Sequence, residues 1–408
     1  MKPVQVVGLG LNPQDLSAQA MAEIEKAKVL AGGGRLLNYF PRHPGKRIVL
    51  RGGLKPWLEQ VSQAADEGVV VLASGDPGFF GIAARLVEKM GPENVEIHPN
   101  LTAMQIAFAR LKESWQDAGM VSLHGREEES LRGLWSTLSQ YDKVIIYTDP
   151  FYSPSRIAGL LRQRGQDFWR MIVLENLGGD DEKRADYSLD QVPDRDFSPL
   201  NLVVLKRTSR PRPLHLGMPE DAYEHQDGII TKAEVRCAAL GKLALEPGQT
   251  LWDLGAGCGS VGIEATLLTP GGLVVAVEQN PERVKLIKAN RARFGAAALE
   301  VVQGRMPQCL ADLPDPDRVF LGGGGDGLEE IARAAIGRLP PSGILVVSAV
   351  RLKSLDAARQ VMMQAGMKVE ETLVHISRGT PLSGDVMLKG LNPVWLIRGQ
   401  KPRAGQNE

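Results

Sequence analysis

Short runs of apolar residues, each followed by a stretch with helical spacing, recur along the whole chain. Val4 to Val7, Val29 to Ala31, Val69 to Ala73, Val95 to Ile97, the run opening at Val121, Lys143 to Tyr147, Met171 to Leu174 and Leu202 to Leu205 read as strands. Met21, Ile24 and Ala27 mark one intervening helix, and Thr102-Ala-Met-Gln105 is a capping-box pattern opening another that runs to Leu111. This alternation predicts two α/β layers within residues 1–209, with a subdomain boundary near 115.

From Lys206 to Pro219 the periodicity breaks. Arg207, Arg210 and Arg212 alternate with Pro211 and Pro213, so 210–227 reads as a linker with solvated arginines. A second pattern then begins. Thr231 and Glu234 form another capping box ahead of the apolar stripe Val235, Ala239 and Leu243. A run ending in Asp253, then Leu273 to Val277, Leu299 to Val302, Arg318 to Leu321, Gly343 to Ser348, Lys368 to Ile376 and Pro393 to Ile397 make seven strands. Glycines cluster at the carboxyl ends of the first four. Residues 228–401 are therefore expected to form a Rossmann-like α/β domain, with the chain after Arg398 disordered and 402–408 as a tail.

The densest chemistry lies in Leu251-Trp-Asp-Leu-Gly-Ala-Gly-Cys-Gly259. Asp253 ends a strand, and Gly255, Gly257 and Gly259 alternate with Ala256 and Cys258. Such a loop lets a cofactor lie against backbone N–H groups. The next strand ends in Glu278, whose carboxylate can accept ribose hydroxyls, and Asn280-Pro281 caps the following helix. Two cofactor classes use this layout. Gly257, Gly259 and Gly262 satisfy the dinucleotide spacing, whereas an acidic residue two places before a G-x-G-x-G run is the pattern of S-adenosylmethionine (SAM) methyltransferases. Asp253 and Glu278 together favour SAM over a nicotinamide cofactor and over a ligand-free turn.

In the first half, Gly8 and Gly10 allow a tight turn after the first strand, and Ser74-Gly75-Asp76-Pro77-Gly78 follows the strand at Val69. Asp76 and Pro77 suit a helix start, while Gly75 and Gly78 suit backbone contacts to a ligand; local chemistry supports both readings. His124 and Glu175 read as loop residues without a necessary task.

Composition narrows the classes. Lys plus Arg and Asp plus Glu balance at 48 each, which argues against nucleic-acid and membrane partners. Cys237, Cys258 and Cys309 form no C-x-x-C pair, and the six histidines lack metal spacing, so no metal site is expected and the thiols are expected reduced. No apolar run has membrane length, and a cytoplasmic enzyme is expected.

The first 209 residues resemble the tetrapyrrole (uroporphyrinogen-III-type) methylases. The resemblance rests on Val6-Val-Gly-Leu-Gly10, Gly33-Gly-Arg35, Ser74-Gly-Asp-Pro77, Pro99-Asn-Leu-Thr-Ala103, Leu123-His-Gly-Arg126 and Glu175-Asn-Leu-Gly178. Residues 228–398 resemble the decarboxylating precorrin methyltransferases, through Thr231-Lys-Ala-Glu-Val-Arg236, the Asp253 loop, Phe320-Leu-Gly-Gly-Gly324, Ser377-Arg-Gly379 and Asn392-Pro-Val394. In this order the two resemble the fused precorrin methyltransferases of cobalamin biosynthesis.

That resemblance implies a two-layered tetrapyrrole methylase fold followed by a class I SAM-dependent methyltransferase fold, with two SAM sites per chain. In the first domain it points to Gly75, Asp76, Gly78, Thr102 and Ala103; in the second, to Thr231, Asp253, Gly255, Ala256, Gly257, Cys258, Gly259, Glu278 and Met306. Arg305 stands where the family usually has an acidic residue that accepts from the adenine amine, so adenine recognition falls to other groups. The implied substrate is an anionic tetrapyrrole, precorrin-6B, methylated at C-5 and C-15 and decarboxylated at the C-12 acetate to give precorrin-8. Arg236, Arg351, Lys353 and Arg378 are candidate carboxylate partners. Glu264, five residues past Gly259, and Arg236 are candidate catalytic residues. The family also implies a homo-oligomer, as far as a tetramer. The competing expectation is a SAM-dependent RNA methyltransferase with an N-terminal binding or scaffold domain.

Overall fold

The computed structural model describes residues 2–123, 128–192, 196–226, 228–322, 325–403 and 405. His124 to Arg126, and Gly323 and Gly324 of the four-glycine run, lie outside the described residues.

Three sheets organise the chain. The first holds β1 (Val4–Gly8), β2 (Val29–Gly32), β3 (Lys46–Val49), β4 (Val69–Ala73) and β5 (Val95–His98), all parallel, in the order β3-β2-β4-β1-β5. Its central strands carry β-branched residues buried on both faces, as a sheet covered by helices on both sides requires. The second holds β6 (Gly119–Ser122), β7 (Lys143–Tyr147), β8 (Trp169–Glu175), β9 (Lys183–Ser188) and β10 (Asn201–Arg207), in the order β6-β7-β10-β8-β9. Only β6 and β7 pair in parallel there.

The third sheet is the expected Rossmann-like one. β11 (Thr250–Leu254), β12 (Leu273–Glu278), β13 (Leu299–Gln303), β14 (Arg318–Gly322), β15 (Ile344–Ala349), β16 (Lys368–Val374) and β19 (Val394–Gln400) stack as β13-β12-β11-β14-β15-β19-β16. Two apolar clusters, one on each face of it, contain Trp252, Val275 and Leu321 on one side and Leu251, Val274 and Phe320 on the other. β17 (Ser377–Leu382) and β18 (Asp385–Gly390) form a separate hairpin.

Several local expectations are corrected. The Thr102–Gln105 box forms, with Thr102 Oγ1 accepting from Gln105 N at 3.1 Å. The Thr231–Glu234 box does not. Lys232 is the N-cap of the helix Ala233–Leu243, and Glu220 instead accepts from Ala233 N at 2.8 Å. No helix begins at Pro77: the next starts at Ala83, and Asp76 Oδ1 closes a turn onto Gly78 N at 2.7 Å. The chain is not disordered after Arg398, because β19 pairs on both sides through Gln400. Nor is Arg207 solvated: it pairs with Asp142 at 2.8 Å and lies 4.2 Å from the Trp169 ring centroid.

The two halves touch directly. Arg291 Nη2 donates to the Gln163 carbonyl at 2.6 Å, and Arg164 Nη1 to the Ala297 carbonyl at 2.7 Å.

Candidate active sites

In the third sheet the strand order reverses between β11 and β14, and ligands of open α/β sheets bind in the crevice at that edge. The glycine loop lies there. Gly255 has φ +73°, and a Cβ on it would sit 2.7 Å from the Gly322 carbonyl oxygen, so the two strand ends approach each other too closely for any side chain. Gly257 differs: its φ is +61°, and a Cβ there would meet no atom within 4 Å. Gly257 is the bare cradle, Gly255 the closure behind it.

Two acidic side chains frame that cradle. Asp253 is 1% exposed; its Oδ2 accepts from Gly262 N at 2.8 Å, while its Oδ1 is buried without a partner. Burial pushes this carboxyl up to about 7, against the Gly262 hydrogen bond and with help from the Glu278 charge. Glu278 is 4% exposed and accepts from Gly257 N and from Asn280 N, both at 3.0 Å. It fixes the loop with one lone pair on each oxygen and keeps others for a ligand. A buried carboxyl with one oxygen lacking a partner, two residues ahead of the glycine loop, and a second carboxylate bonded to a loop amide suit a ligand with a cationic head and a hydroxylated tail. Met306 is half-buried just past β13, with Arg305 exposed beside it, and Thr231 is half-buried ahead of the Ala233 helix.

Glu264 and Arg236, the candidate catalytic residues, face each other in the interior. Both are 0% exposed and pair at 2.8 Å. Glu264 also accepts from Gly217 N, Met218 N and the Tyr223 hydroxyl; Arg236 also donates to the Thr231 and Met218 carbonyls. The pair thus sits as a buried, hydrogen-bonded ion pair that anchors residues 217–231. Arg378 is also engaged. It spends four of its five N–H donors on Glu220 and Glu234, which leaves no net positive charge to offer a substrate. Those carboxylates hold its guanidinium strongly protonated, and Arg378 in turn holds Glu220 down at about 2. Arg351 and Lys353 stay exposed just past the end of β15, on the same edge as the glycine loop.

In the first half, a second cavity of about 570 Å³ is lined by Asp76, Gly78, Phe79, Pro99, Asn100, Leu101, Thr102 and Gln105. That volume is ordinary for a small-molecule site. Gly75 and Gly10 bridge the ends of β4 and β1, with Gly75 N donating to the Gly10 carbonyl at 2.8 Å. Asp76 Oδ2 accepts from Asn100 N at 3.1 Å, and Asn100 Nδ2 donates to the Gly8 carbonyl at 2.9 Å. Asp76 thus ties the walls of the cavity together. The Thr102 hydroxyl is engaged with Gln105, and the helix begins at Ala103.

Sequence reading passed over Asn100, although it sits inside a quoted motif. It also passed over Asn290, whose Nδ2 donates to the Cys258 carbonyl of the glycine loop at 3.0 Å. Nothing local marks Asn290 among the other polar residues of its helix.

A Rossmann-like sheet with a glycine loop at its switch point, following a separate two-sheet α/β unit, defines a two-domain SAM-dependent methyltransferase. Comparison with known proteins narrows this. The model of tetrapyrrole (corrin/porphyrin) methylases matches residues 3–193, and that of the precorrin methyltransferase domain matches 221–400. The chain is 34% identical over 410 residues to precorrin-6Y C(5,15)-methyltransferase (decarboxylating) of Sinorhizobium sp, covering 95% of this chain and 94% of that one. It is 41% identical over 184 residues to a probable cobalt-precorrin-6B C(15)-methyltransferase (decarboxylating) of Pyrobaculum calidifontis, covering 44% of this chain and 94% of the relative. Over 197 residues it is 36% identical to cobalt-precorrin-7 C(5)-methyltransferase of Salmonella typhimurium, covering 46% and 96%. The chain belongs to the precorrin-6Y C(5,15)-methyltransferase (decarboxylating) family. These matches leave the RNA methyltransferase alternative without support.

Proposed function

We propose that this chain methylates the C-5 and C-15 positions of precorrin-6B with loss of the C-12 acetate carboxyl as carbon dioxide, giving precorrin-8. One observation carries the reading: a single relative carrying both activities in its name aligns over nearly the full length of both chains. The shorter relatives separate the labour, one acting at C-15 with decarboxylation and one at C-5. Residues 228–401 take the first task and 1–209 the second, with 210–227 between them. The numbering of the relatives' substrates puts C-15 before C-5.

Each half binds one SAM. In the second half the unpartnered Asp253 Oδ1 receives the methionyl ammonium, residues 255–259 pass under the methionyl chain, Glu278 takes the ribose hydroxyls, and Thr231, Arg305 and Met306 border the remainder. In the first half Gly75, Gly78 and Ala103 offer backbone groups, while Asp76 and Thr102 shape the walls. SAM supplies a methyl group already activated for transfer to carbon, so the protein's work is alignment and exclusion of water. Alignment alone is worth on the order of 7–11 kcal/mol in favourable cases. Arg351, and Lys353 beside it, meet the substrate carboxylates at the second site.

The unpaired cysteines suit a reducing cytoplasm. The β17–β18 hairpin, which exposes Leu382, Val386, Met387 and Leu388, suits a homo-oligomer, a tetramer by the family resemblance.

Mass spectrometry of the tetrapyrrole after incubation with SAM tests the reading. Two methyl additions with loss of one carbon dioxide are expected; a mass change without decarboxylation, or no change, would overturn it.

A further inference from the structure

Phe80 follows Phe79, which lines the N-terminal cavity. Phe80 has φ +50°, in the left-handed region where a bulky aromatic residue is an outlier. Its side chain is not buried in return: the residue is 51% exposed. The turn around it is tight, since a Cβ on neighbouring Gly81 would lie 2.2 Å from the Pro77 carbonyl oxygen. Glycine at position 80 would meet that turn's needs without strain, so it is the phenyl ring, rather than the backbone, that the position retains. Backbone strain held against a cheaper alternative gathers at functional sites.

The ring has a defined setting. Phe79 meets it edge-on with centroids 4.8 Å apart, and Tyr147 lies 5.8 Å from Phe80 and 5.6 Å from Phe79. Phe79 lines the cofactor cavity directly after Gly78. Tyr147 ends β7 in the other sheet, its oxygen accepting from Met104 N at 3.1 Å. The three rings therefore bridge the two layers at the cavity rim, with Phe80 outermost.

We propose that Phe80 is a positioning residue for methylation at C-5: its ring is the apolar platform on which one face of the tetrapyrrole rests, bringing the reacting carbon over the cofactor cavity. A flat, partly conjugated macrocycle with carboxylates only on its periphery presents the face that an exposed aromatic ring recognises. The inference rests on the C-5 activity assigned above to the first half.

The test uses the full-length chain and the Phe80→Ala, Phe80→Gly and Phe80→Tyr variants, with the C-15-methylated, decarboxylated intermediate as substrate. Phe80→Ala and Phe80→Gly should both raise KM for C-5 methylation about tenfold while changing kcat little, and Phe80→Tyr should restore it. Affinity for the same intermediate without SAM, read by tryptophan quenching, should fall in parallel, with SAM affinity unchanged. Wild-type KM and affinity in Phe80→Ala would overturn the proposal. So would recovery in Phe80→Gly but not in Phe80→Tyr, which would make the residue a matter of turn geometry. A wild-type chain that never methylates C-5 would instead remove the functional reading itself, and the platform with it.

Discussion

The two candidate sites are built by different physics. In the C-terminal one, acidic side chains are driven into the end of a parallel sheet: Asp253 and Glu278 are almost wholly buried, and Asp253 keeps one oxygen without a donor. Ionised, that oxygen would favour a cationic ligand. In the N-terminal cleft both Asp76 oxygens are engaged by loop amides, and the cavity is made of turns, backbone and aromatic rings. Binding there depends on shape far more than on charge. A single chain thus shows that a small-molecule site can be preorganised either by burying charge or by tying loops.

The contrast is broken most severely by Glu264→Ala. Removing one partner of a buried pair strands the Arg236 charge, so a loss of about 3–5 kcal/mol is expected in the unfolding transition of the C-terminal half. Denaturant titration followed at that transition checks it. A loss below about 1 kcal/mol would mean that the pair is hydrated and the anchoring role wrong. Next comes Gly257→Ala. The positive φ costs about 1–2 kcal/mol, and the new methyl enters the open cradle, so SAM affinity at the C-terminal site should fall at least about tenfold with the N-terminal site unaffected. Calorimetry on the full chain separates the two.

The pH dependence sharpens the comparison. The folded-state value of Asp253, about 7, lies above its ordinary 3.8. The ligand-free fold therefore holds that proton more tightly than the unfolded chain does, and this group's contribution to stability falls as pH rises from about 4 to 7, then levels off. A cationic ligand needs the ionised form. C-terminal SAM affinity should thus rise through pH 7 by up to about tenfold per unit below it, and Asp253→Asn should flatten the curve. The N-terminal cleft should show no such step. The smallest effect belongs to Arg378→Ala. Its partner Glu220 is held at about 2 rather than 4.5, so the ion pair stabilises above pH 4.5, and that contribution is lost as pH falls to about 2. The pair is partly exposed, which limits the difference at neutral pH to about 1 kcal/mol. Thermal melts at pH 7 and pH 3 should show the gap between variant and parent narrowing.

Most of the architecture was legible because burial writes itself into the sequence. Strands covered on both faces, such as Val69–Ala73 and Leu273–Glu278, are unbroken apolar runs. β3, β9 and the β17–β18 hairpin went unread because they lie at sheet edges or outside the main sheets and are largely polar or exposed. The glycine loop and its two acidic residues were legible for a related reason: close backbone approach leaves glycine as the only choice, and the signal is local. The burial of Arg236 and Glu264 was not legible, because a charged residue looks the same in sequence whether it faces a cleft or a core. Only their pairing across 28 positions tells them apart. Phe80 was not singled out, since sequence does not reveal the sign of φ.

Titration calorimetry of SAM into the full-length chain at pH 8 and again at pH 6 tests the two-cleft account most directly. Two molecules bound per chain at pH 8, with one of the two affinities falling about tenfold at pH 6, is the predicted result. One molecule per chain at both values would contradict it.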